Sequence, residues 1–313
     1  DIFDIINYSV SLGIKTEVVS NGSLINNPRL AANIIDSGLK NIAISLDGAC
    51  ADTHDSIRAF GGAHKKAVDA LSYLSQAKKI KGFGPQISAW VTIMNENVAE
   101  LYDIISLAKK NGVECLVYHP VIVVQDDMQN TIKNSGLWIS QDKTGELKEQ
   151  IDKIVDYQKS RGLVAFLHDP YLWLEYFQGR LASESWKCNP FVFIDIGPDG
   201  LVRSCGSAFG NIKELSLEAC LNTKEAHKAR EKMSRCRKPC LQTCWSRPEA
   251  DSTRGIINDF IGRAGELEVS NIERKRVLEK GLELLSGYED LILRRNPRDY
   301  IPGSFTYQGR KKI

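Results

Sequence analysis

The sequence predicts an α/β protein in two parts, a run of alternating strands and helices followed by a smaller, cysteine-rich part. Three observations carry this. Short apolar strands alternate with amphipathic helical segments through the first half. Near residue 186 the pattern changes to short strands and turns. Five of the eight cysteines (Cys188, Cys205, Cys236, Cys240 and Cys244) fall in that second part, whereas Cys50, Cys115 and Cys220 stand alone.

The elements follow in order. Apolar residues over 1–13 fit a helix closed by Gly13, and KTEVVS (15–20) is a strand stopped by Asn-Gly. A helix over about 28–37 ends at Gly38, and NIAISLD (41–47) is the next strand. A helix over 62–80 leads to strand QISAWVTI (86–93), then a helix over 97–111 and strand CLVYHPV (115–121). Strand cores are mostly apolar, as in a parallel sheet covered by helices. Such βα units build either an open doubly wound sheet or part of a barrel. Residues 122–142 are polar and read as a long loop; a charged helix over 144–162 leads to LVAFL, a last strand. The aromatic run YLWLEYF (171–177) reads as packing between the two parts, and 271–293 as helical.

A formal charge of +2 makes no single-sign field, so neither nucleic acid nor an anionic membrane is implied as a partner. No apolar run reaches the roughly 18 residues that span a bilayer. With no signal peptide, the cytoplasm is the expected compartment, where clustered thiols point to metal more than to disulfides. The chain opens without Met, inside an amphipathic helix, and reads as a fragment lacking its N-terminal part.

In parallel α/β folds, ligands sit at the carboxyl ends of the strands. Two of those ends are polar here: VVSNGSL, and ISLDGACADTHDSIR. Ser20, Asn21, Ser45 and Asp47 would project into one mouth, although Asn-Gly and Asp-Gly are also common turn dipeptides. His119 and His168 end two further strands and are candidates for proton donors or substrate contacts, or for structural histidines.

The run SLDGACADTHDSIR, followed by Gly-Gly and a helix, then VTIMNENVAEL and AKKNGVECL, resembles the middle of a radical S-adenosylmethionine enzyme carrying a SPASM or twitch extension. The resemblance implies a partial (β/α) TIM-like barrel over 1–185 with its first strands missing. A small α+β iron–sulfur domain over 186–250 and a helical extension over 251–313 would follow. It implies that Asn21, Gly22, Ser45 and Arg58 bind S-adenosylmethionine, with Ser45 on its ribose or methionine part and Arg58 on its carboxylate. An Arg fork suits a carboxylate; a surface ion pair with Asp52 or Asp55 is the other use of Arg58. Asp47 would hold substrate or position its loop.

The family's Cys-x3-Cys-x2-Cys loop and its GGEP motif do not occur, and both are expected upstream of residue 1, together with a second 4Fe-4S cluster. Cys188 and Cys205 match Cys-x11-Gly-x4-Cys, the hairpin half of a SPASM-type site, with Gly197 or Gly200 making the turn. Cys236, Cys240 and Cys244 supply the remaining ligands of one auxiliary 4Fe-4S cluster, Cys236 or Cys240 being the fourth. Such an enzyme generates a 5′-deoxyadenosyl radical and abstracts hydrogen from a peptide or small molecule, using a reductant such as flavodoxin or ferredoxin. The rival readings are a zinc-bound structural module on a degenerate barrel, since thiolates hold zinc equally well, and a non-catalytic peptide-binding protein.

Overall fold

Five parallel strands lie side by side in chain order: β1 (Glu17–Ser20), β2 (Asn41–Ser45), β3 (Gln86–Ile93), β4 (Cys115–Pro120) and β5 (Val164–Phe166). A doubly wound sheet reverses its strand order at a switch point, and this one does not. The unbroken order is that of a partial barrel. The computed structural model describes residues 2–122, 136–166, 169–181, 186–188, 194–236, 240–241 and 246–248. The chain forms two units, Asp1–Leu181 and Ala182–Ile313. No described helix is long and apolar enough to cross a membrane. The expected helix over 271–293 lies outside the described residues.

The two faces of the sheet differ. Ile42, Ile44, Ile87, Ala89, Val91, Ile93, Leu116 and Tyr118 alternate with the opposite set and are all 2% exposed or less. Ile44 meets helix α4 (Ala63–Lys81) near Ala67 and Ala70, so this apolar face lies under the helices. In a parallel pair, residues in register share a face. Ser45 pairs with Trp90 and Thr92 with His119, and all four are only half-buried. The polar ends of three strands therefore share the uncovered face.

Local signals set the helices. Helix α2 (Pro28–Asp36) starts with Pro28 behind Asn27, whose side chain accepts from Leu30 N at 2.9 Å. Helix α4 buries Ala67, Ala70, Leu71, Leu74 and Ala77 at helical spacing and closes at Gly82 in the left-handed region. The helix expected over 97–111 begins instead as a 3-10 turn, Val98–Glu100, before α5 (Asp103–Lys110). The turn leaves the Asn97 and Glu100 side chains bonded back to the loop after β2. A short helix that the apolar pattern did not reveal, α3 (Ala51–Arg58), follows that loop, and only His54 is buried in it.

The aromatic run packs within the first unit. Trp173 and Phe177 are 1% exposed; Trp173 leans on Tyr118, and Phe177 sits on Trp138 at a ring separation of 4.9 Å. Trp138 also donates from Nε1 to the Phe177 carbonyl at 2.9 Å. The segment read as a polar loop thus supplies the cover for these rings, and Ile139 beside Trp138 is fully buried.

In the second unit β7 (Asp195–Ile196), β8 (Leu201–Ser204) and β9 (Ser207–Asn211) form an antiparallel sheet. Gly200, at φ +84°, makes the first turn. Cys205 and Gly206, at φ +46° and +76°, make the second, a two-residue turn between the paired Ser204 and Ser207 with the signs of type I′. Val202, Phe209, Cys220, Ala226 and Ala229 form its core. Strand β6 (Trp186–Cys188) pairs with Ser246–Pro248, Cys188 opposite Ser246. The hairpin turns at Gly200, as expected, and the residues that join Cys188 to it, 189–193, lie outside the described residues. Cys205 turns left-handed directly after Ser204, the last residue of β8.

Candidate functional site

Asp47 is the centre of the polar mouth, and each of its polar groups is taken. Its side chain is 1% exposed, with Oδ1 accepting from Thr92 N at 2.8 Å and Oδ2 2.5 Å from Nη2 of Arg58. Its N–H donates to Nδ1 of His54 at 3.0 Å, and its carbonyl accepts from Nδ2 of Asn97 at 2.8 Å. His54 and Arg58 lie four residues apart on α3, hence on one helical face, and both grip the same residue. Burial lowers the His54 pKa to about 4, against a smaller upward pull from Asp47. The neutral ring is the form whose Nδ1 can accept.

Arg58 does not pair with Asp52 or Asp55. Asp55 instead accepts from Gly62 N at 2.6 Å and His64 N at 2.7 Å, capping α4. The Arg58 side chain is 32% exposed, and its Nε is buried without a hydrogen-bond partner among the described residues. The Ser45 hydroxyl is half-buried and makes no hydrogen bond to a described residue. A ligand carboxylate or hydroxyl is what such groups can take, so the residues present fit S-adenosylmethionine.

Asn21 and Gly22 have local tasks. Asn21 is exposed and its side chain accepts from Ser23 N at 3.0 Å; Gly22 donates to Ser20 Oγ at 3.1 Å. Gly22 is buried at φ +76°, where a Cβ would lie 3.0 Å from Ala70 Cβ. The turn is thereby pressed on α4. On the other side, His119 stands edge-on to Trp90 at 6.0 Å, with Nδ1 3.3 Å from the Pro120 carbonyl. Burial lowers its pKa. His168 lies outside the described residues.

Of the cysteines, Cys205 and Cys236 are close enough to interact. Burial raises the Cys205 thiol pKa, Cys236 adds to the rise, and Lys232 opposes it. Cys240 is half-buried, Cys188 is placed only as part of its strand, and Cys244 lies outside the described residues. Among the described residues no three His, Cys, Asp or Glu side chains gather as a metal site.

Sequence reasoning missed Asn97, Glu100 and His54. Asn97 is fully buried, accepts from Met94 N at 2.9 Å and donates to both Asp47 O and Thr92 O. Glu100 accepts from Ala49 N at 2.7 Å, Cys50 N at 3.2 Å and the Thr53 hydroxyl. Burial works to raise the Glu100 pKa, but these bonds hold it below the ordinary value. All three residues stood in the quoted motifs, with nothing in spacing to say which polar side chains turn inward.

No family model matches the chain. An AdoMet-dependent heme synthase from Oleidesulfovibrio alaskensis is 23% identical over 67% of this chain and 50% of its own length. Mycofactocin maturase MftC from Mycobacterium ulcerans is 34% identical over 36% of this chain and 28% of its own. The PqqA peptide cyclase of Rhodopseudomonas palustris is 27% identical over 34% and 27%. The chain thus spans about half the length, or less, of the curated relatives it matches. Among solved structures, native anSMEcpe with bound AdoMet and Cp18Cys peptide superposes with a TM-score of 0.51 at 14% identity, over 73% of this chain and 63% of that one. In sequence the chain is thus similar to AdoMet-dependent heme synthases, a mycofactocin maturase and a peptide cyclase, and in fold to a solved structure that holds AdoMet.

Proposed function

We propose that this chain carries the cofactor-binding strand ends of a radical S-adenosylmethionine enzyme that takes hydrogen from a peptide substrate. The observation that carries the reading is Arg58, held by a buried Asp47 at the carboxyl ends of β2 and β3, with Nε buried and unbonded. Arg58 receives the carboxylate of S-adenosylmethionine, and the free hydroxyl of Ser45 receives its ribose or methionine part. S-adenosylmethionine, when bound and reduced, supplies the radical for hydrogen abstraction. The chain's own part is to hold it, to keep Arg58 charged and aimed, and to line the mouth with Asn21, Trp90 and His119.

Within the second unit, Cys188, Cys205 and Cys244, with either Cys236 or Cys240 as the fourth, are the ligands of one auxiliary 4Fe-4S cluster. The influence of Cys236 on the Cys205 thiol supports this. The peptide class rests on the peptide cyclase among the relatives; the second 4Fe-4S cluster expected upstream of residue 1 would pass the electron to S-adenosylmethionine, and a donor of the flavodoxin or ferredoxin type would reduce that cluster. Saturation-transfer NMR with S-adenosylmethionine tests the cofactor site. The chain should saturate the cofactor's signals, and Arg58→Lys should weaken the effect. Equal transfer in both proteins would remove Arg58 from the site.

A further inference from the structure

Arg58 is the last residue of α3, an eight-residue helix with little apolar anchorage of its own. A surface helix is normally fixed by a buried stripe; here only His54 is buried. What fixes α3 is a set of hydrogen bonds from the segment after β3. Glu100 receives the Ala49 and Cys50 N–H groups and the Thr53 hydroxyl, at the end of the helix where unsatisfied donors and the positive pole of the dipole meet. Cys50 at the N-cap supplies no side-chain cap of its own, so the carboxylate comes from a different βα unit. Asn97 ties Asp47 O to Thr92 O, locking the exits of β2 and β3 together.

The geometry points to Asn97 and Glu100 as positioning residues for the guanidinium of Arg58. Neither is placed to touch the cofactor; both act through the loop and helix that aim Arg58 at it. The inference rests on the proposed use of Arg58 in binding S-adenosylmethionine. Asn97 fixes the Asp47 end of the ion pair, and Glu100 fixes the helix that bears the other end. A supporting shell of this kind restricts the binding group to one orientation before the ligand arrives. The VTIMNENVAEL motif, which the function had otherwise left without a task, thereby gains one.

A double-mutant cycle on the full chain tests this, with S-adenosylmethionine as probe. Glu100→Ala should weaken binding by about tenfold, the scale of one or two lost hydrogen bonds to a charged group. In an Arg58→Lys background the same change should have an effect at least about threefold smaller, because its target is already lost. Glu100→Gln, which keeps the shape and an acceptor, should restore part of the affinity. Hydrogen exchange at residues 47–58 should accelerate in Glu100→Ala and Asn97→Ser while exchange in β4 stays slow. Additive effects in the cycle, or unchanged exchange over 47–58, would overturn the positioning role and leave the cofactor site standing. No binding by the unaltered chain would instead remove the site reading, and this inference with it.

Discussion

Nη2 of Arg58 lies 2.5 Å from Oδ2 of Asp47, a carboxylate with 1% of its side chain exposed. One charge of this pair is sealed and the other reaches the mouth. Truncating the exposed partner leaves the sealed one uncompensated. Arg58→Ala should therefore destabilise the first unit by about 3 kcal/mol, and adding Asp47→Asn should return part of that loss. Thermal unfolding of the two single variants and the double variant gives the coupling, which should exceed about 1 kcal/mol. Additive losses would mean the pair is spent on nothing more than its separate hydrogen bonds.

His54 predicts a pH dependence. Its folded pKa, lowered by burial to about 4, lies below the ordinary 6.5, so the unfolded chain binds its proton more readily. Stability from this group is full above pH 6.5 and is lost as pH falls from there toward 4. The loss is up to about 3 kcal/mol for a shift of this size. The lowered pKa of His119 adds in the same direction. Urea unfolding between pH 7 and 4.5 should show a falling midpoint, with a shallower slope in His54→Gln. An equal slope in that variant would put the titration elsewhere.

Gly22 carries a packing prediction. At φ +76°, with Ala70 Cβ 3.0 Å and Ala67 Cα 3.3 Å from where its Cβ would stand, Ala brings both backbone strain and overpacking. Gly22→Ala should cost about 1–3 kcal/mol, whereas Gly145→Ala, with open space around it and no positive φ, should be near neutral. Comparable unfolding midpoints for the two would contradict the packing of the turn on α4.

Much of the barrel is legible because its elements are written in apolar periodicity. QISAWVTI becomes β3 over the predicted residues, and the helix over 62–80 becomes α4 with one residue's shift at each end. The βα spacing left barrel and doubly wound sheet open, since it does not encode strand order; the resemblance implied the partial barrel that the strand order shows. Helix α3 was missed because hydrogen bonds from Asn97 and Glu100, some 50 residues away in sequence, replace an apolar stripe. The hairpin turn at Gly200 was legible from its glycines, whereas the left-handed Cys205 was not, since that region is enriched in Asn and Asp among residues other than Gly.

The thiols make a metal prediction. Anaerobic reconstitution with iron and sulfide should load the second unit, and Cys205→Ser should empty it, a hydroxyl being a poor replacement for a soft thiolate. Cys50→Ser and Cys115→Ser should leave iron unchanged, since both thiols lie in the first unit. Iron and acid-labile sulfide per chain, measured in parallel, decide it. Zinc bound in place of iron, or full iron in Cys205→Ser, would contradict the cluster assignment.

The most direct test of the central claim is saturation transfer from the chain to S-adenosylmethionine, which registers weak binding as well as tight. The account predicts transfer to the cofactor's signals, competition by S-adenosylhomocysteine, and a loss in Arg58→Lys that corresponds to about 1.5–3 kcal/mol, the worth of a hydrogen bond to a charged group. Far-UV circular dichroism of that variant should match the unaltered chain. No transfer, or full transfer in a folded Arg58→Lys chain, would contradict it.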